Sequence, residues 1–206
     1  GFCIVDDQVC RDASNQEIIR RYYQALTRAA TDAGSPEEVY KIELLMKKDN
    51  ITQSMRQVVG VCNTLAAAQQ SPAAAMELND GRIVTGKTSA LLGASAALLL
   101  NAVKELAGIP HEVHVIAPSA IEPIQTLKTR YLGSHNPRLH TDEVLIALSA
   151  SPADSAEARL ALSQLPKLDG CQAHTSVMHS DVDIKIFKKL GVQLTCEAVY
   201  EHILLS

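Results

Sequence analysis

Tryptophan is absent from this 206-residue chain, and aromatic residues of every kind make up only 3% of it. A surface for single-stranded nucleic acid stacks bases on aromatics and tracks the backbone with a basic stripe. Neither is present, since Lys and Arg are scattered and the formal net charge is −4. The same scatter excludes a polybasic membrane patch. The five cysteines (Cys3, Cys10, Cys62, Cys171 and Cys196) are odd in number and contain no C-x-x-C pair. That pattern argues against a disulfide framework and against structural zinc, and it points to the reducing cytoplasm. The most apolar run, SALLGASAALLLNAV, is too short to span a bilayer, contains Asn101 and reads as a buried helix. No signal peptide is evident. The chain opens GFCIVDD, an apolar, strand-like start without an initiator Met, and reads as part of a longer protein.

Ala and Leu are plentiful, and both favour helix. Ser14 and Glu17 are spaced as a capping box ahead of an apolar stripe through Ile18, Tyr22, Leu26 and Ala29. Gly34 should stop that helix. Ser35-Pro36-Glu37-Glu38 should start the next, with Val39, Ile42, Leu45 and Met46 inward. Thr52 should cap a third, from about Gln53 into the Ala-rich stretch before Ser71-Pro72. Beyond it, AMEL and RIVT flank Asn79-Asp80-Gly81, a hairpin signal. A long helix is expected from Thr88 to Leu106, closed by Gly108 and Pro110, then a buried strand over 111–117. Helices should follow at Pro118-Ser119, over 142–149 and over 153–165. Strand AHTSVM, a helix from Asp181 to Leu190-Gly191, and strand VQLTCEA complete the order. The reading is a helical subdomain over residues 1–70 and a layered α/β/α sandwich with a mixed sheet over 71–206.

GRIVTGKTS, Gly81–Ser89, matches the phosphate-loop pattern G-x-x-x-x-G-K-[ST]. A working phosphate loop follows a buried strand and opens a helix. Here the polar turn ELND precedes Gly81, and the β-branched residues between the glycines resist the turns that a phosphate loop needs. The segment is better used as a hairpin strand. What survives is an expected anion site, with Gly86, Lys87, Thr88 and Ser89 placed at one helix N-terminus. The plain alternative is a capped helix with a solvated Lys87.

His111 and His114, three apart on an expected strand, would point to opposite faces and could not share a metal ion. Cys171, His174 and His179 match no standard zinc spacing, so no metal is expected. Loop 133–143, GSHNPRLHTDE, gathers Asn136, Arg138, His140, Asp142 and Glu143 between apolar helices. It is either a capped surface loop or a substrate loop, with Arg138 as an anion clamp and His140 as an acid or base.

The strings QEIIRRYY, DGRIVTGKTSALLGASAALLLNAVKELAGI, IEPIQTLK and NPRLHTDEVLIALS closely resemble the C-terminal part of a bacterial family called domain of unknown function eighteen-forty-six. The resemblance implies a longer cytoplasmic protein whose N-terminal half carries a phosphate-loop-like segment, and it carries over no catalytic residue. The element order also resembles the cytidine-deaminase-like sandwich. At the positions of the zinc deaminases' H-x-E and P-C-x-x-C motifs, this chain is expected to have TGKTS and APSAIEP.

The resulting expectation is an α/β domain that binds a small anionic ligand at converging helix N-termini. Gly86, Lys87, Thr88, Ser89, Ser119, Asn136 and Arg138 would bind it, and His140, Arg138 and Lys87 are the catalytic candidates. The competing expectation is a structural or homo-oligomeric module that serves the N-terminal half. Neither nucleic acid nor membrane is expected as a partner.

Overall fold

Four alanine-rich residues set the geometry of the molecule. In the computed structural model, which describes residues 6–151 and 155–201, Ala73, Ala74, Ala75 and Met76 are wholly buried in strand β1 (Ala73–Glu77). Alanine is a poor strand former on propensity alone, but its short side chain lets helices approach both faces of the strand. β1 pairs antiparallel with β2 (Ile83–Lys87) through the Asn79-Asp80-Gly81 turn, and antiparallel on its other side with β3 (Gln172–Thr175). β3 pairs in parallel with β4 (Gln193–Cys196). The mixed sheet therefore runs β2-β1-β3-β4.

Helices cover both faces, giving an α/β fold with eight α-helices among the described residues. On one side α3 (Gln57–Gln69) packs on β1 and β3, and α1 (Asp7–Ala30) packs on β4. Val58 and Cys62 of α3 meet Ala73 and Ala75 there. α2 (Pro36–Lys48) packs on α1 rather than on the sheet. On the other side α4 (Ala94–Ala107) lies along β2 and β1, and Leu98, Leu99 and Ala102 join Ala74, Met76 and Ala173 in the main core. α5 (Pro118–Thr126), α6 (Thr141–Ser149), α7 (Ala156–Ser163) and α8 (Asp181–Lys189) complete this layer.

Gly86 fixes how closely α4 approaches. A Cβ at that position would run into the backbone nitrogen of Leu98 and lie 2.6 Å from the carbonyl oxygen of Ala94. The second glycine of the phosphate-loop pattern thus serves strand–helix packing.

Several elements depart from the sequence expectations. α1 begins at Asp7, capped by the Asp6 carboxylate, which accepts from the amides of Gln8 (2.9 Å) and Val9 (3.1 Å). Ser14 lies inside the helix, and Glu17 pairs with Arg20 and Arg21 instead of closing a capping box. α1 ends at Ala30, ahead of Gly34, with Asp32 in the left-handed region. Ser35 does cap α2, but Leu45 faces solvent. Thr52 opens only a 3₁₀ turn over Gln53–Met55, and α3 starts after Arg56.

The expected strand over 111–117 is an irregular loop. Its Val115 and Ile116 are buried, so the apolar run is core-facing. The buried Lys104 Nζ donates to the carbonyls of His111 and Val113, both at 2.7 Å, and thereby replaces a neighbouring strand as their partner. His111 and His114 therefore lie on a loop and not on opposite faces of a strand. The strand-like start over 1–5, Cys3 and the first residues of the helix expected over 153–165 lie outside the described residues.

α4 begins at Ala94, not at Thr88. Ser89 resembles an N-cap, but its hydroxyl accepts from the amides of Leu91 (3.2 Å) and Leu92 (3.0 Å) and closes a local turn. Leu92 then bridges in parallel to Leu139, so segment 88–93 is stitched to loop 133–143.

Candidate functional site

Three helix N-termini converge at one end of the sheet. Those of α4, α6 and α8 line a cleft of about 130 Å³, together with Asn136, Arg138 and His140 of the loop and Thr175, Met178 and His179 of the β3–α8 turn. An N-terminus exposes amides with no intrahelical acceptor and carries partial positive charge. Two of the three are already served by the chain's own side chains, α8 by the Ser180 hydroxyl, which accepts from the Asp183 amide at 3.2 Å. Asp183 accepts from the Thr141 amide (3.1 Å) and hydroxyl (2.8 Å) at α6, and from the Ser180 hydroxyl (2.9 Å) at α8. Glu143 accepts from the His140 amide at 2.8 Å. α4 differs: Gly93 is its N-cap and no side chain caps it.

Burial alone would raise the Asp183 carboxyl. Hydrogen bonds from His140, Thr141 and Ser180 outweigh that effect and hold it at about 2. His140 moves the other way, raised chiefly by its contact with Asp183, whose carboxylate lies 3.6 Å from His140 Nδ1. Lys128 holds the loop beneath them. A π-helical turn over Leu127–Tyr131 carries it inward, where Nζ donates to the Arg138 carbonyl (2.6 Å) and to Glu143 (2.8 Å).

Arg138 Nε donates to the Ser89 carbonyl at 3.1 Å, and one guanidinium nitrogen pairs with Glu201 at 2.7 Å. Both partners of that pair line the cleft. Asn136 turns its side-chain oxygen to the Arg138 amide at 3.1 Å.

The remaining expected site residues lie elsewhere. Thr88 lines the cleft, but Gly86, Lys87, Ser89 and Ser119 do not. Gly86 is buried in β2, Lys87 is exposed at its end, and Ser119 is exposed on the first turn of α5. The expected grouping of Gly86–Ser89 at a helix N-terminus is corrected accordingly: the helix starts several residues later, and the terminus facing the cleft is Gly93–Ala96.

His179 is a site residue that spacing along the sequence did not single out. Its Nε2 lies 2.9 Å from the Thr175 hydroxyl, which donates to the Val177 carbonyl at 2.8 Å. Thr175 Oγ1 must then accept, so Nε2 carries the ring proton and Nδ1 is an acceptor. Nδ1 faces Ser95 Oγ at 3.4 Å. Burial pushes the imidazole down to about 4, so it is neutral at pH 7. The signal in the sequence is positional, a histidine in the turn from a buried strand to a Ser-capped helix.

A second polar assembly lies on the opposite face of the sheet. Arg56, almost wholly buried, donates to the Thr195 hydroxyl (3.2 Å), Gln172 (2.6 Å) and the carbonyls of Ala173 (2.9 Å) and Gln193 (2.6 Å). Burial pulls its guanidinium down to about 10, so it stays charged at neutral pH. His174 Nε2 meets Glu197 at 3.2 Å and Nδ1 meets the Thr195 hydroxyl at 2.8 Å. Glu197 also accepts from Asn63 (2.7 Å) and Tyr23 (3.4 Å). His174 and Thr175 are successive strand residues and face opposite sides, so His174 and His179 serve different assemblies. Among the described residues no group of three or more His, Cys, Asp and Glu is placed to hold a metal ion. Cys10, Cys62, Cys171 and Cys196 carry free thiols, and among the described residues no helix is long and apolar enough to cross a membrane.

Comparison with known proteins places these elements in a family. The family model described as "Domain of unknown function DUF1846, C-terminal" matches residues 54–205, and its N-terminal counterpart matches residues 1–50. A "UPF0371 protein" of Corynebacterium aurimucosum is 52% identical over 200 residues, covering 97% of this chain and 40% of the relative. One from Corynebacterium efficiens is 53% identical over 202 residues, covering 98% of this chain and 41% of the relative. One from Streptococcus pyogenes serotype M3 is 45% identical over 202 residues, with the same coverage. The chain spans about two fifths of the length of these curated relatives. With both domain models matched in sequence order, the chain belongs to the DUF1846 family.

Proposed function

We propose that this region binds a small anionic molecule in the cleft at the start of α4, as part of a longer cytoplasmic protein. One observation carries the reading. Of the three N-termini that meet there, α4 alone lacks a capping side chain, and it opens into enclosed space. The volume of about 130 Å³ falls below the ~300–1,000 Å³ typical of sites for drug-sized ligands. It suits a carboxylic acid or a single phosphate group better than a nucleotide. Arg138 supplies the mobile charge, since a bound anion would take the place of Glu201 on its guanidinium. His140 stands ready to donate a proton or hydrogen bond, and Lys87 takes no part.

The three-layer sandwich, with a hairpin followed by four helices, a strand, a helix and a strand, supports a cytidine-deaminase-like topology for the fold. On that reading the segments comparable to the deaminase motifs are Gly93–Ala96 and Ser180–Asp183. Both border the cleft and neither contains the His/Cys ligand set of zinc deamination.

Thermal denaturation in phosphate, acetate and citrate tests the proposal. Ligand at 100 times its Kd should stabilise the fold by about 2.7 kcal/mol, and Arg138→Ala should remove most of the shift. No shift with any of the three anions would overturn it. The rival assignment is a module for self-association or for packing against the phosphate-loop-like half of the longer protein. It is favoured by the exposed Tyr40, Leu44 and Leu45 on α2, and a stable oligomer in light scattering without any anion effect would select it.

A further inference from the structure

We propose that Ser95 is a nucleophile activated by His179, and that the cleft carries out acyl transfer on a small ester or thioester. This rests on the reading of the cleft as a ligand site, but it does not require the ligand to be anionic. Ser95 occupies the second position of α4, nearly buried, with its hydroxyl on the cleft wall. His179 is held by Thr175 so that Nδ1, without a proton, points at Ser95 Oγ. The 3.4 Å separation is long, as acid–base contacts often are before a substrate is seated. The low proton affinity of the buried ring keeps it in the accepting form at neutral pH. This arrangement of nucleophile, base and a group orienting the base is the signature of an activated hydroxyl.

The chemistry balances within these groups. Ser95 Oγ attacks the acyl carbon as its proton moves to His179 Nδ1. The carbonyl oxygen becomes an oxyanion facing the uncapped amides at the start of α4, the kind of donor that stabilises developing charge. The bond to the alcohol or thiol breaks, and the leaving group departs with the proton from Nδ1. Water then attacks the acyl-serine by the same route, releasing the acid and restoring the hydroxyl. Gly93, with no side chain, keeps the approach to these amides open.

The test is labelling with an alkyl fluorophosphonate, in which an Oγ–P bond forms and fluoride leaves. The protein should take up one equivalent, and fragmentation of the peptide spanning residues 88–104 should place it on Ser95 rather than Thr88 or Ser89. Mapping on the unmutated chain needs no variant and so does not depend on a variant's folding. Ser95→Ala should abolish labelling, Ser89→Ala should leave it unchanged, and His179→Gln should slow it at least tenfold. No uptake, label on another residue, or an unchanged rate in a folded His179→Gln variant would overturn the proposal. Labelling at Ser95 in a protein that phosphate, acetate and citrate fail to stabilise would uphold the dyad and remove the anion reading. An anion-dependent shift with no labelling would do the reverse.

Discussion

The two faces of the sheet each bury a histidine, yet to opposite ends. Around His174, on the α1–α3 side, every donor finds an acceptor: Arg56 has several partners, and Glu197 gathers Asn63, Tyr23 and the imidazole. Around His179, on the α4–α8 side, there is open volume, an uncapped helix and an imidazole nitrogen waiting for a proton. A satisfied polar network fixes one packing of its neighbours, whereas an unsatisfied end in enclosed space invites a ligand. The contrast teaches that burial of polar groups does not by itself mark a site; incomplete pairing beside a cavity does.

Breaking the closed network should produce the largest effect. Arg56→Met removes four charge-assisted hydrogen bonds at once, those to Thr195, Gln172 and the carbonyls of Ala173 and Gln193, and should destabilise the fold by about 3–5 kcal/mol in urea denaturation. Arg138→Ala, in the open cleft, should lie at the opposite extreme.

Next comes acid. His179 has a folded value of about 4 against about 6.5 unfolded. The unfolded chain binds the proton first, so stability is intact above pH 6.5 and falls as the pH drops toward 4, by about 3 kcal/mol. His174 is lowered too, chiefly by burial, and works in the same direction. Stability measured across that window should flatten substantially in His179→Gln and again in His174→Gln. Asp183, held at about 2, acts lower down: its contribution is present above about pH 4 and is lost as the pH falls through 2.

Gly86→Ala should cost about 1–3 kcal/mol, because the atoms its Cβ would meet are the backbone of α4 and cannot swing aside. The same substitution should weaken any anion-dependent thermal shift by displacing the start of α4. The smallest change is Arg138→Ala without ligand. Its pair with Glu201 is partly solvated, and such pairs contribute about 0–1 kcal/mol. An unliganded melting point close to that of the unmutated chain, with the anion response gone, would separate a binding residue from a structural one.

Local chemistry was legible wherever it acted alone. Asp80-Gly81 announced the hairpin, Ser35-Pro36 the start of α2, Gly108 the end of α4, and Asp181 the start of α8. The sequence was misleading where a distant group took over a local role. Residues 111–117 have a strand's apolar pattern, but Lys104 satisfies the carbonyls of His111 and Val113 from a helix, and periodicity cannot distinguish a buried loop from a buried strand. Ser89 has the chemistry of an N-cap and spends it on a turn, which displaced the expected anion site by half a loop. Loop 133–143 was singled out for its polarity, and Asn136, Arg138 and His140 do line the cleft. His179, Lys128 and Arg56 carry no periodic signal, and their partners become neighbours only when the sheet forms.

That sheet joins a nearby partner to a remote one. β1 finds β2 across a tight turn, but the Ala73 amide must also reach the Ser176 hydroxyl, 103 residues along the chain. The hairpin can therefore close as soon as it leaves the ribosome, while its central strand waits with one edge bare until β3 emerges. Pairing over such distances folds slowly and leaves the intermediate prone to association. The second edge of β1 is thus satisfied by the arrival of one four-residue strand, the same strand whose consecutive residues His174 and Thr175 anchor both polar assemblies.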